Sequence, residues 1–195
     1  TDYFTPTRAL NADDVIWSFQ RQLDPNHPWH ALSLVGYPYF ESMGFKDLLK
    51  SVEKVDDMTV KITLNHAESP FLRDVAMPFT SIYSAEYADQ LLKSGKTADL
   101  NSKPVGTGPF IFVRYNKDAQ VRFKANPDYF RGKPPSDNLI FAVTTDSNVR
   151  LQKLKANECQ IALYPKPDEV KNIRQDPNLK VDELAALMTS YIAMN

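Results

Sequence analysis

The residues with chemistry to offer in this 195-residue chain are three histidines, one cysteine, two pairs of adjacent aspartates and a glycine-rich turn. A zinc hydrolase needs two imidazoles one helical turn apart with a glutamate between them, and His27, His30 and His66 are not spaced that way. They read as loop and turn residues. Gly106-Thr107-Gly108 is too short to cradle a phosphate, because Pro109 removes a backbone N–H where the cradle needs one and a strand, not a helix, follows. Gly-x-Ser-x-Gly is absent, so no serine is presented as a nucleophile, and Cys159 has no cationic or histidine neighbour in sequence to activate it. Adjacent side chains diverge, so Asp13-Asp14 and Asp56-Asp57 read as cap and turn carboxylates before they read as an acid/base dyad.

Binding suits these residues better than catalysis. In open α/β sheets ligands sit outside the carboxyl ends of the strands. Tyr164 is expected at such an end, closing a strand over Cys159 to Leu163 and followed by Pro165. Tyr37 lies in an aromatic-rich loop from His27 to Phe40 and could offer a ligand a flat ring and a hydroxyl. Packing is the alternative role for both. Cys159 fits either a buried free thiol or half of a disulfide whose partner lies outside these residues.

The elements that must position these residues follow from pattern. Asn11-Ala12-Asp13-Asp14 opens a helix whose apolar Val15, Ile16, Phe19 and Leu23 recur at helical spacing until Asp24-Pro25 stops it. Ser51 to Val55 and Thr59 to Leu64 alternate about Asp56-Asp57 as a β-hairpin, and Phe110 to Tyr115 with Ala119 to Lys124 make a second. Helical spacing also runs from Ser69 to Met77 and from Ser84 to Lys93. Beyond Pro134-Pro135 the order is strand (Leu139 to Thr144), helix (Ser147 to Ala156), strand (Cys159 to Leu163) and a helix from Pro167, the order of a βαβ unit. The fold class expected is therefore mixed α+β / α/β: an antiparallel α+β region over residues 1–133, then the start of an α/β lobe over 134–195.

Composition narrows the partners. With 23 Lys+Arg against 24 Asp+Glu the chain lacks the basic footprint that nucleic acid requires. Charged residues interrupt every apolar run before it reaches the ~18 residues of a membrane span. Thr1 opens no basic-then-apolar leader and Tyr191 to Asn195 reads as strand with no polar tail, so the sequence is expected to come from inside a longer product.

Three stretches carry a resemblance: Phe4-Thr5-Pro6-Thr7-Arg8-Ala9-Leu10-Asn11-Ala12-Asp13-Asp14-Val15, Pro104-Val105-Gly106-Thr107-Gly108-Pro109-Phe110 and Asn157-Glu158-Cys159-Gln160. In that order they resemble signature segments of the dipeptide-binding branch of the family 5 solute-binding proteins, and the similarity extends through Tyr37-Pro38-Tyr39-Phe40 and Ser84 to Leu92. The resemblance implies a type II periplasmic-binding-protein fold, here part of the first lobe with the subdomain typical of peptide binders and ending before the hinge. It implies a periplasmic or lipid-anchored receptor, not an enzyme, that delivers dipeptides or short oligopeptides to the membrane permease of an ABC importer, touching the membrane complex only peripherally. By position, Tyr37 and Tyr164 match first-lobe aromatic contacts, and Cys159 matches a cysteine bonded to one near the mature N-terminus. The aspartate and arginine that hold the peptide's charged ends belong to the second lobe of such proteins. No cofactor or metal is implied; heme, carried by some relatives and left open by the His27 to His30 loop, and a ligand-free interaction module are the alternatives.

Overall fold

The computed structural model describes residues 1–185, so the strand expected from Tyr191 to Asn195 lies outside the described residues. Chain contacts divide it into two compact units, Thr1–Phe141 and a second beginning at Ala142.

The first unit opens with helix α1, Ala12–Leu23, where local chemistry and tertiary contacts agree. Asn11 Oδ1 accepts the Asp13 N–H at 3.0 Å, and the Asp14 carboxylate accepts the Asn11 N–H at 3.0 Å, a reciprocal cap that satisfies donors the helix cannot. Short helices α2 (Pro38–Ser42) and α3 (Phe45–Leu48) lead into the hairpin of β1 (Leu49–Asp56) and β2 (Thr59–Leu64), with Val52 opposite Ile62. Phe19 of α1 packs with Phe40, Phe45 and Leu49 in one core cluster, and the Phe45 ring meets Phe40 at 5.4 Å and Phe79 at 5.1 Å. The Ala12 N–H donates to Asp57 O at 2.8 Å and Lys54 Nζ meets Asp13 at 3.0 Å, which fixes the hairpin turn to the start of α1.

The helix expected from Ser69 to Met77 is only a turn, α4 (Phe71–Asp74), followed by a 3-10 turn at Pro78–Thr80. Proline explains the difference. Pro70 starts the turn, and Met77, extended at ψ 154° ahead of Pro78, cannot continue a helix. Helix α5 (Ala85–Lys93) starts from the Ser84 cap and α6 (Asp99–Ser102) follows. Their buried Tyr87, Ala88, Leu91 and Leu100 pack with Phe4 and Trp29 in a second cluster.

Between the two clusters α1 presents a buried polar stripe, Asp14, Ser18 and Gln22, at four-residue spacing. The Asp14 side chain is 2% exposed, and Arg8 meets it through two nitrogens at 2.7 and 2.9 Å. A further donor is the Ala85 N–H at 2.8 Å, at the start of α5. Ser18 Oγ accepts the Tyr83 N–H at 2.8 Å and Gln22 Nε2 donates to Phe79 O at 3.1 Å, so one face of one helix fixes the whole segment from Phe79 to Ala85.

A second sheet, in the order β3-β4-β5, comprises Phe110–Asn116, Gln120–Ala125 and Asn138–Ala142. Phe112 and Phe123 face each other across β3 and β4 with centroids 5.8 Å apart, and Phe123 meets Phe141 of β5 at 5.9 Å. Thus β5, which follows residue 133, shares a sheet with the two strands that precede it.

The second unit holds α7 (Ser147–Lys155), capped by the Asp146 side chain, and α8 (Pro167–Gln175). The strand expected over Cys159 to Leu163 does not form; among the described residues that segment pairs with no other strand.

Burial raises the Asp14 carboxyl, but the Arg8 guanidinium and the N–H groups of Asn11 and Ala85 outweigh it, leaving the group below its ordinary 3.8. A depressed folded value means that its stabilisation is present above pH ~4 and is lost as pH falls through the lower folded value. Asp14→Ala is expected to cost about 3 kcal/mol in urea denaturation at pH 7, and Asp14→Asn to flatten the pH dependence of stability below pH ~4.

Candidate functional site

In the first unit an aromatic group gathers around Arg21. Trp17 and Arg21 are one helical turn apart on α1 and so share a face. The Arg21 guanidinium lies 4.1 Å from the Tyr83 ring centroid, 5.6 Å from Trp17 and 5.7 Å from Tyr37, a cation held by rings. Tyr37 is half-buried there: its hydroxyl donates to Trp29 O at 3.2 Å and its ring is 5.5 Å from His30. Burial raises the Tyr37 phenol, with the Arg21 charge opposing. The hydroxyl is committed inward, which leaves the ring as the part able to meet a ligand. His27 accepts the Trp29 N–H at Nδ1 (3.2 Å), and burial together with the Arg21 charge holds it below its ordinary 6.5 against the pull of Asp24. Arg21 Nε and Trp29 Nε1 are buried without a hydrogen-bond partner.

In the second unit Tyr164 is 86% exposed at φ +54°, the left-handed region, directly ahead of Pro165. For a bulky side chain that conformation costs about 1–2 kcal/mol. Arg150 of α7 donates to Tyr164 O at 3.1 Å and to Thr144 O and Thr145 O, both at 2.8 Å. The ring, expected to project from a strand end, is turned out by the left-handed kink instead, with no strand beneath it. Cys159 is a partly exposed free thiol a few residues upstream, after Asn157, which closes α7 at φ +57°.

Tyr37 and Tyr164 therefore lie in different units, each with its own local support. Sequence reasoning missed both arginines. Arg21 had a signal, a cation four residues from Trp17 on a well-capped helix, whereas Arg150 had none, because its partners are backbone carbonyls that carry no residue identity.

Two cavities stand out, and neither is a ligand-sized enclosed pocket. A gap of about 90 Å³ lined by Ser147, Arg150, Leu154, Leu163, Pro165 and Ile173 is too small for a dipeptide. A depression of about 500 Å³ is lined by Glu86, Asp89, Gln90, Lys93 and Ser94, all from one side of α5 and its end, so nothing converges across it. Among the described residues no group of three or more His, Cys, Asp or Glu is placed to hold a metal, and no helix is long and apolar enough to cross a membrane.

Mixed α/β units of this kind are found in type II periplasmic binding proteins, and comparison bears the fold out over most of the chain. A dipeptide-binding protein from Pseudoalteromonas sp. SM9913, solved with Met-Leu, superposes with a TM-score of 0.85 at 36% identity over 91% of this chain and 35% of that one. Residues 3–195 match the family of bacterial extracellular solute-binding proteins, family 5 (middle), and the chain belongs to that family. It is 67% identical over its whole length to di/tripeptide-binding protein 4 of Pseudomonas aeruginosa (strain UCBPP-PA14), covering 37% of that protein. It is 50% identical over its whole length to heme-binding protein A of Haemophilus influenzae, covering 36% of it. The chain thus spans little more than a third of the length of these relatives.

Removing the Arg21 charge removes one of the influences that disfavour imidazolium at His27. In Arg21→Met, the His27 midpoint followed by NMR is expected to move up toward its ordinary value, and an unchanged midpoint would show that the Arg21 charge has no part in setting it.

Proposed function

We propose that this chain is part of the periplasmic substrate-binding component of an ABC importer, a receptor without enzymatic activity that binds di- and tripeptides. The observation that carries this reading is 67% identity along all 195 residues to a di/tripeptide-binding protein, supported by a backbone that follows a dipeptide-binding protein solved with Met-Leu.

In this reading Tyr37 and Tyr164 supply apolar walls to the peptide from the first lobe. The peptide's charged termini are met by second-lobe groups outside these 195 residues, its backbone by main-chain hydrogen bonds, and its side chains by hydrated space that tolerates many sequences. The permease is the partner to which the closed receptor delivers its load. The antiparallel subdomain of the first lobe over residues 1–133 gives way to the α/β lobe over 134–195, with β5 as the strand that joins the sheet of the first across that boundary. Cys159 pairs with a cysteine elsewhere in the full-length protein, which exported proteins permit.

Heme is the second reading, favoured by the 50% identical heme-binding relative. Native mass spectrometry of the full-length protein from a periplasmic extract separates the possibilities. A heterogeneous set of retained dipeptide and tripeptide masses is expected, and a single heme mass would move the assignment to heme uptake. No retained mass, with no heat of binding to a dipeptide panel, would contradict both and leave an interaction module. Thiol titration of the same unreduced protein is expected to find Cys159 unreactive even after unfolding; a reactive Cys159 would remove the disulfide.

A further inference from the structure

Three residues other than glycine take a positive φ among the described residues: Asp118, Asn157 and Tyr164. Asp and Asn tolerate that region because their short polar side chains bond locally, so the first two need no special explanation. Tyr164 has no such excuse, and Pro165 after it further narrows the backbone it can adopt. A conformation of this kind persists only where its surroundings over-determine it.

What over-determines it is Arg150. The guanidinium spreads over three backbone carbonyls, those of Thr144 and Thr145 at 2.8 Å and that of Tyr164 at 3.1 Å. Its planar fork is suited to holding several acceptors at fixed angles, which a lysine ammonium is not. The clamp closes on the carbonyl of Tyr164, which fixes the peptide unit leaving its Cα, and the ring carried on that Cα is 86% exposed. Ser147 and Glu169, joined at 3.1 Å, tie the starts of α7 and α8 together, so the base from which Arg150 reaches is braced.

We propose that Arg150 is a positioning residue for ligand recognition: it holds Tyr164 in its left-handed conformation so that the ring stands ready as a flat apolar wall for a bound peptide. This inference rests on the reading that Tyr164 faces the peptide. Pre-setting the ring before the ligand arrives removes an ordering cost from binding, the usual benefit of preorganisation. In this role Arg150 acts through the backbone of Tyr164, to whose carbonyl it donates.

The test is a double-mutant cycle in the full-length protein, with Met-Leu as the titrated peptide and calorimetry as the readout. Tyr164→Gly removes the ring and also the strain, since glycine takes positive φ freely. Arg150→Ala is expected to weaken Met-Leu binding about tenfold beside Tyr164 and by less than about twofold beside Tyr164→Gly, where no ring remains to be aimed. Arg150→Lys, which keeps charge but loses the fork, is expected to fall between, and it carries the same comparison if thermal melting shows Arg150→Ala unfolded. Equal losses in both backgrounds, or no loss in either, would overturn the positioning role while leaving the receptor reading intact. Unchanged affinity in Tyr164→Gly alone would show that the ring does not meet the peptide, and failure of the unmutated protein to bind Met-Leu or any member of a dipeptide panel would remove the receptor reading; either result takes the inference with it.

Discussion

A carboxylate with 2% of its side chain exposed stays ionised only if its surroundings replace the water it has lost, and Asp14 meets that condition with four donors from three parts of the chain. Arg8 grips it with a fork, Asn11 closes the start of α1, and Ala85 brings in the start of α5. The charge therefore sits at the N-terminal ends of two helices at once, where both macrodipoles favour it. From that anchor the rest of the first unit follows along one helix face. Ser18, one turn on, fixes Tyr83; Gln22, another turn on, fixes Phe79, whose ring enters the Phe45 cluster. Because Tyr83 is placed, Arg21 has a ring to lie on, and because Arg21 lies there, Tyr37 and Trp17 have a cation between them.

What sequence pattern revealed, and what it did not, divides along the range of the interactions. Helices α1 and α5 and both hairpins were legible because their signals are local: a cap, a periodicity, a turn. Asp14 was legible only as a cap, since its partner Ala85 is 71 residues away and a backbone N–H has no letter in the sequence. The helix expected over Ser69 to Met77 shrinks to a turn because the prolines at 70 and 78 override the helical spacing between them. The strand expected over Cys159 to Leu163 fails for another reason: among the described residues that segment has no strand paired with it to complete a ladder. Tyr164 stood out by its place at the end of that segment, and the structure keeps it exposed by a backbone kink that no residue pattern announces.

The two supports found for the aromatic residues differ in kind, and the difference bears on function. Tyr37 is fastened through its side chain, hydroxyl to Trp29 O and ring to Arg21 and His30, so it is rigid and partly spent on packing. Tyr164 is fastened through its backbone, leaving most of its ring open to solvent. A surface ring with a fixed base and a free face can stack on an apolar group of any identity, since stacking asks for area rather than for a particular partner. The chain's relatives, for their part, are named for what they bind.

The most direct test is a crystal structure of the full-length protein with Met-Leu bound. If Tyr164 is a preset wall of the peptide site, its ring lies in van der Waals contact with the peptide, within about 4 Å, with its backbone still at positive φ and its carbonyl still held by Arg150. A bound peptide out of reach of Tyr164, with that residue relaxed to negative φ and released by Arg150, would contradict it.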